Sequence, residues 1–571
     1  MKQSKKRLWT MLLVGMLLVC AMFVLTACGG GGDQATTGED EQATDQTQQA
    51  ASQEKMVRIT GRFPLYSDPA VGSNAIEAAV HFNIYDALVW ITTEGEIVPH
   101  IATEWSMSED GLTYTFNIRQ GVKFHDGSEL NAEDVAFSMN RMLAIGQGFA
   151  YLYTPYVKDA VVLDDYTVQI NMKQTFGPFI ASLVRMAVVN KDLVMANIKT
   201  DGPYGEFGDY GKDYLLTHDA GSGPYTIESV KLEESLVAKQ FADYWQEWGP
   251  NAPEYFKVIA QPDATTVRTL MARRELEIVD EWESSDNLNS MAEIEGVEIP
   301  LIYAGAVVNM EMNTQIAPTD DIHFRKAIAY LLDYSQAVTS IYPNTKQAIG
   351  PVSSAYTGHD DTLFQYSYNQ EKALEELKQS KYYDKLAEYP ITVAWSADVA
   401  DEEKLCLLLQ QACAQVGVTV NIAKTPFASL IQQVSDVSTT PHMTVMYPGD
   451  SYSEAGSVLA LRYHSNTAGT FTQFEWLQDQ SIDAAIEKAL STMDQDSRME
   501  QYKAIQKTIV DMCPSIWVCE WPERRAYQAG YLNWPEANAA KAGTLNCPVM
   551  GRVIYARTME IFPDKKAELL K

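Results

Sequence analysis

The sequence predicts an α/β fold, and three observations carry the prediction. Between Ile391 and Asp450, short β-rich runs alternate with runs of helical period. Tyr114, Phe116 and Ile118 alternate with Thr115, Asn117 and Arg119, the pattern of a half-buried strand. The chain has 571 residues, 46% hydrophobic and 21% charged, enough for two or more domains with cores of their own.

The stretch from 391 to 450 sets the pattern. Ile391 to Trp395 is short, apolar and β-rich. Asp401 to Val416 carries Leu405, Leu408, Leu409, Ala412 and Val416 at helical spacing, and Gly417 stops the helix. Val418, Val420 and Ile422 alternate as a second strand, Phe427 to Asp436 predicts a second helix, and Met443 to Tyr447 a third strand. Two successive β-α-β units give parallel strands with right-handed crossovers. In open α/β sheets, ligands sit beyond the carboxyl ends of the strands. Those ends carry Trp395-Ser396, Lys424-Thr425 and Gly449-Asp450, so an aromatic face, hydroxyls and a carboxylate are expected around one crevice.

The N-terminus has a different character. Lys2, Lys5, Lys6 and Arg7 precede an apolar run from Met11 to Leu25, interrupted by Gly15, and Leu25-Thr26-Ala27-Cys28 follows. This is the layout of an export signal with small residues before the cut. The ending resembles the bacterial lipobox, which implies a signal peptide over 1–27 and a lipidated Cys28 at the mature N-terminus. Residues 29–53 are Gly, Gln, Thr, Ser, Ala and acids with no Lys or Arg, a composition that cannot bury a core and predicts a flexible tether. Two acyl chains hold a protein stably at a membrane where one does not. The expected location is the outer face of the cell membrane.

A net charge of −31 argues against nucleic acid, whose backbone is bound by Lys and Arg. Besides Cys20 and Cys28 there are Cys406, Cys413, Cys513, Cys519 and Cys547, with no C-x-x-C pair; five is odd, and any pairing stays open. Cys406 and Cys413 share a helix face and are expected in its packing. Neither G-x-S-x-G nor H-E-x-x-H occurs, and none of the eight histidines pairs at i, i+4, so no catalytic residues, metal site or cofactor are expected. The glycine-rich loop 201–214 is expected at the surface, because Gly211-Lys212 is followed by Asp213 where a phosphate loop needs Ser or Thr. His125-Asp126 is read as part of two hairpin turns, and Arg462 as a surface arginine, with partner of a ligand carboxylate as the alternative.

Three segments in register carry a resemblance: Glu94 to Trp105, Asp110 to Gly127, and Asn131 to Ser138, where Asn131 caps a helix with Glu133 and Asp134 in its first turn. Together they resemble the signature of the large extracellular solute-binding proteins of peptide/nickel-type ABC importers, family 5. Gly221-Ser-Gly-Pro-Tyr225, the helix from Asp321 to Asp333 and the pair from Ser481 to Pro514 extend the similarity over Val57 to about Leu532. The resemblance implies a two-lobed periplasmic-binding-protein-like fold of class II type, with an extra subdomain and a ligand cleft between the lobes. It places lobe I at 54–96, 218–306 and 517–571, the subdomain at 97–217, and lobe II at 307–516. It implies a monomer without cofactor that binds peptides outside the cell and delivers them to an ABC permease. Relatives that bind nickel chelates, haem, opines or oligosaccharides are the alternatives, and a lipid-anchored hydrolase is the alternative outside the family. Tyr447-Pro-Gly-Asp450 lies where peptide-binding relatives carry an aromatic residue and then the aspartate that pairs with the α-ammonium. Here Tyr stands for the usual Trp, and Ser451 to Glu454 departs from the common continuation. The expected ligand-binding residues are Asp450, Trp395, Tyr447 and Gly449.

Overall fold

The computed structural model describes residues 55–571 except Pro64, Asp398, Pro448 and Asp450. The expectations for the signal, for Cys28 and the tether, and for the Asp450 side chain lie outside the described residues.

Three sheets organise the molecule. The first has four strands in the order Met56–Gly61, Tyr255–Ala260, Ser235–Gln240, Tyr225–Lys231; its first pair is parallel and the rest antiparallel. The second is an antiparallel meander variant in the order Ala102–Met107, Thr113–Ile118, Thr167–Met172, Val157–Asp164. Its inward face is the alternating set Tyr114, Phe116 and Ile118, packed with Val135, Met139 and Met142 of the helix Ala132–Ile145. That helix begins on a reciprocal cap between Asn131 and Asp134 and ends at Gly146 in the left-handed region.

The third sheet has the order Val420–Thr425, Ile391–Ser396, Met443–Met446, Leu301–Met312, Ser515–Arg524. The first three strands are parallel to one another, as two β-α-β crossovers require. The last two are long and antiparallel. Ser515–Arg524 is the last strand of the sheet yet buried along its whole length, Trp517 and Trp521 included. The strand Leu301–Met312 slips register between Ile302 and Ala306. Gly305 lies in that slip at φ +93, and a Cβ there would meet the Tyr356 ring at 2.5–2.7 Å. Single bridges Ile59–Ile278, Ile278–Tyr527 and Tyr527–Glu298 join this pair of strands to the first sheet.

One buried carboxylate ties the ends of the described chain together. Glu277 accepts from the Arg58 amide at 3.0 Å, from Lys566 Nζ at 3.0 Å and from the Tyr531 hydroxyl at 3.0 Å. Arg58 belongs to the first strand and Lys566 to the last helix, Pro563–Leu569.

His125 donates from both nitrogens, Nδ1 to the Asp219 carboxylate and Nε2 to the Gly223 carbonyl at 2.9 Å, and so pins two turns together. Arg462 is not at the surface: it is 5% exposed, its Nη1 donates to the Thr472 carbonyl at 3.0 Å, and its charge faces Glu311. The sequence hid this because Glu311 and Arg462 meet only through the fold. All five described cysteines are free and buried, and burial pushes their thiols up, Cys413 to about 12 and Cys547 to about 11.

Candidate ligand cleft

The strand Met443–Met446 delivers Tyr447 into an aromatic cluster. The rings of Trp282 and Trp521 stack with centroids 5.2 Å apart and an interplanar angle of 18°. Tyr447 meets both edge-on, at 5.6 and 5.3 Å, and its hydroxyl hydrogen-bonds that of Tyr342 at 2.7 Å. Edge and stacked geometries of this kind each contribute about 0.5–1.5 kcal/mol beyond area burial. The carboxyl end of the third parallel strand is thereby fixed against Trp282 from the chain crossing at 278–282 and Trp521 from the long buried strand.

Trp282 also floors a cleft of about 800 Å³, lined by Arg62, Phe63, Gln261, Asp280, Glu283 and Ala400 among others. The Arg62 guanidinium lies 5.2 Å above the Trp282 ring, a cation–π contact. The wall behind is acidic. Asp280, Glu281 and Glu523 surround Arg525, which pairs with Glu281 and with Glu523 at 3.0 Å. Burial, reinforced by the neighbouring Glu281, pushes the Asp280 carboxyl up to about 8. Glu283 is likewise raised, chiefly by burial, and accepts from Gln261 at 2.6 Å and from Asn287. With its carboxyl pushed up to about 8, Asp280 carries a proton at neutral pH, so the cleft offers an aromatic floor and hydrogen-bonding groups around it.

The described residues that flank Asp450 in the sequence have fixed partners. Before it stands Tyr447; after it, Ser451 receives a hydrogen bond from Arg185 Nε to its carbonyl at 3.0 Å, and its hydroxyl bonds that of Tyr151. Tyr452 packs edge-on to Phe176 at 6.3 Å. Gly449 is half-buried, and a Cβ built on it would touch nothing within 4 Å, so its backbone faces open space. Trp395 stands apart: it is 2% exposed, packs in the core beneath the third sheet, and carries the Lys424 ammonium 5.1 Å over its ring. Ala400, at the start of the helix that follows Trp395, reaches the cleft instead.

Sequence reasoning missed Trp282, Trp521, Arg62 and Arg185. They come from four distant segments, and no periodicity joins them. The one local signal is Glu281-Trp282-Glu283, a tryptophan flanked by acids, which is unusual for a core position.

Comparison with known proteins agrees with this architecture. Residues 96–470 match the profile of the bacterial extracellular solute-binding proteins, family 5, middle region. The dipeptide-binding protein of Escherichia coli K12 is 24% identical over 453 residues, covering 74% of this chain and 80% of its own. The glutathione-binding protein of Salmonella typhimurium LT2 is 27% identical over 483 residues, covering 82% and 88%. A solved structure of an ABC transporter-associated periplasmic binding protein from Helicobacter pylori, in complex with the peptide STSA, superposes with a TM-score of 0.71 at 19% identity, covering 89% of this chain and 98% of that one. The profile spans well over half of the sequence, and the fold is the two-lobed α/β architecture of periplasmic binding proteins. The chain belongs to the bacterial extracellular solute-binding proteins of family 5.

Proposed function

We propose that this solute-binding protein captures short peptides outside the cell, held to the membrane by lipid on Cys28, and hands them to an ABC permease. The observation that carries the peptide reading is the setting of Tyr447 and Ser451. Tyr447 is held on Trp282 and Trp521, and Ser451 on Arg185 and Tyr151, on either side of Asp450 in the sequence. In this reading Asp450 pairs with the peptide's α-ammonium and Tyr447 and Gly449 form the adjoining wall, while Trp395 stays in the core. Relatives named for dipeptide and glutathione binding support the same ligand class.

In this reading the first lobe comprises 54–96, 218–306 and 517–571, its subdomain 97–217, and the second lobe 307–516. A ligand that touches both lobes favours the closed arrangement, which differs from the open one by a few kcal/mol. The closed form of a monomer is what the permease would recognise.

Mass spectrometry of the solute released from natively purified protein tests the reading. Short peptides are expected. A nickel chelate, haem, an opine or an oligosaccharide in their place would replace the peptide reading while keeping the transport role.

A further inference from the structure

The second sheet touches a part of the chain to which no strand joins it. Among the described residues, the second and third sheets share no strand. The segment that leaves the strand Thr167–Met172 nevertheless seats against the turn between the helices Gln480–Ser491 and Gln495–Met512. There the Gly177 amide donates to the Leu490 carbonyl at 2.7 Å. Gly177 lies outside the left-handed region, so its φ does not call for glycine. Its surroundings do. A Cβ on it would meet the Thr492 carbonyl oxygen and, at 2.5 Å, Nη1 of Arg498. Neither neighbour yields easily. Thr492 accepts from Arg498 at 2.9 Å, and Arg498 is gripped by both carboxylate oxygens of Glu454, each at 2.9 Å. Glycine at 177 thus serves a close approach between two parts of the fold. Beside it, Phe176 stacks on Tyr156 of its own side at 4.1 Å and meets Tyr452 of the other side edge-on at 6.3 Å.

The same contact reaches the loop that carries Ser451. Arg498, at the Gly177 seat, is bonded to Glu454, which begins the helix Ala455–Tyr463. Ser451, in the same short run, is held from the second-sheet side. The Tyr151 hydroxyl bonds its hydroxyl, and Arg185 Nε donates to its carbonyl at 3.0 Å. Arg185 Nη2 donates in turn to the Met550 carbonyl at 2.8 Å, so one guanidinium spans Ser451 and a segment near the C-terminus. Two sets of contacts, at Gly177 and at Ser451, therefore bring one face of the second-sheet region onto one face of the 451–498 region.

We infer that the second-sheet region is the seat on which the 451–498 face shuts over a bound solute, with Gly177 setting how far it shuts and Arg185 and Tyr151 acting as positioning residues for Ser451. The solute is the one proposed above, so the seat rests on the peptide reading. Closure of such folds moves packed pieces that stay rigid, and the pieces meet at discrete contacts. A contact made only when the pieces meet favours the closed arrangement. It acts on release more than on capture, because affinity differences between related complexes lie mostly in dissociation. A seat built on a backbone carbonyl and a pinned guanidinium stops sharply. A methyl group at 177 would hold the two faces apart, yet neither piece alone would feel it. The subdomain 97–217 thereby takes a part in retaining the solute.

The test uses the full mature protein, stripped of bound solute by unfolding and refolding, and offered peptides from an exhaustive protease digest of casein. X-ray scattering with and without the digest reads closure. Mass spectrometry of the peptides still bound after a timed buffer chase reads release. The parent should become more compact when the digest is added. Gly177→Ala should keep the melting temperature of the empty parent, stay at the expanded dimensions in the digest and release its peptides at least about tenfold faster. Gly249→Ala, at a glycine whose Cβ would meet nothing within 4 Å, should behave as the parent does. Tyr151→Phe and Ser451→Ala should each speed release, and the double variant should do so no more than either, because both remove one hydrogen bond. Compaction and retention in Gly177→Ala equal to those of the parent overturn the seat and leave the peptide reading intact. Capture by a parent that does not compact does the same. Capture of no peptide by the parent overturns both. Where Gly177→Ala lowers the melting temperature of the empty protein, the hydroxyl variants decide: release as slow as the parent's, or effects that add in the double variant, overturn the seat.

Discussion

Arg524 and Asp401 lie 3.3 Å apart, with the Ser285 hydroxyl set between them: it donates to Asp401 at 2.6 Å and accepts from Arg524 at 2.7 Å. Asp401 stands in the first turn of the helix Ala400–Gln415, beside the third sheet. Ser285 opens a short helix, Ser285–Ala292, whose core is Val267, Met271 and Leu288. The triad therefore clamps two separately packed regions across the mouth of the cleft. Asp401→Asn should loosen the clamp and raise the radius of gyration of the ligand-free protein in X-ray scattering. Burial works against ionisation of Asp401, but the Ser285 hydrogen bond and the Lys404 and Arg524 charges outweigh it and hold the carboxyl below its ordinary 3.8. A depressed carboxyl contributes stability that is present above 3.8 and is lost as pH falls through the lower folded value. The parent should thus expand on acidification below about 3.8, toward the dimensions that Asp401→Asn already shows at neutral pH. Superimposable scattering curves for the two proteins at neutral pH would sink this idea.

A second pH effect has the opposite sign. Glu311 and Glu475 are both buried; Glu311 accepts from the Phe474 amide at 3.0 Å and Glu475 from the Ser515 hydroxyl at 2.6 Å. Burial first, then the neighbouring Glu311, holds the Glu475 carboxyl well above its ordinary 4.5, so it keeps a proton and donates to Glu311. A raised carboxyl binds its proton in the folded state when the unfolded chain would release it. Stability is therefore complete below about 4.5 and declines as pH rises toward the raised value. Glutamine has the shape of the protonated acid. Glu475→Gln should match the parent in urea unfolding at pH 4 and equal or exceed it at pH 7. A variant less stable than the parent at pH 7 by more than about 1 kcal/mol would refute the protonated state, since that is the scale of one hydrogen bond.

Asp450→Ala should weaken binding of a free-amine peptide by at least about tenfold, because removing one partner of a buried charge pair costs roughly 2–5 kcal/mol. N-acetylating the peptide should weaken binding to the parent to a similar degree and add little in the variant, since both changes remove one interaction. The melting temperature of the empty protein should barely move. Calorimetric titration of both peptides against both proteins measures this, and full affinity of the variant for the free amine rules the role out.

Cys28→Ala should move the protein from the membrane fraction to the soluble fraction with ligand affinity unchanged. Fractionation followed by a salt wash reads the outcome. A variant that stays with the membrane would make Met11 to Leu25 an uncleaved span and end the lipid-anchor reading.

The part of the fold that was legible is the part fixed by local period. The helix predicted over 401–416 forms as Ala400–Gln415, and the strand predicted from Ile391 ends at Ser396. The strand predicted from Val418 starts at Val420 instead. After Gly417 turns at φ +83, the Val418 amide donates to the Cys413 carbonyl at 3.0 Å and finishes the helix rather than beginning the ladder. Strand order within the sheet was out of reach, because Leu301–Met312 and Ser515–Arg524 pair across some two hundred residues. The cleft was half legible. Tyr447 and Gly449 stand at a strand end that the pattern marked, whereas the rings and charges that hold Tyr447 and Ser451, namely Trp282, Trp521 and Arg185, depend on contacts that no window of sequence contains.

Glu277, bonded to Arg58 and to Lys566, decides how the molecule bears force. A pull applied ahead of Lys55 loads the strand Met56–Gly61 and passes through Arg58 into that carboxylate, and from there into the terminal helix Pro563–Leu569. The same strand is laddered to Tyr255–Ala260 along its whole length, so strain on the leading end of the chain is shared between that buried carboxylate and the first sheet.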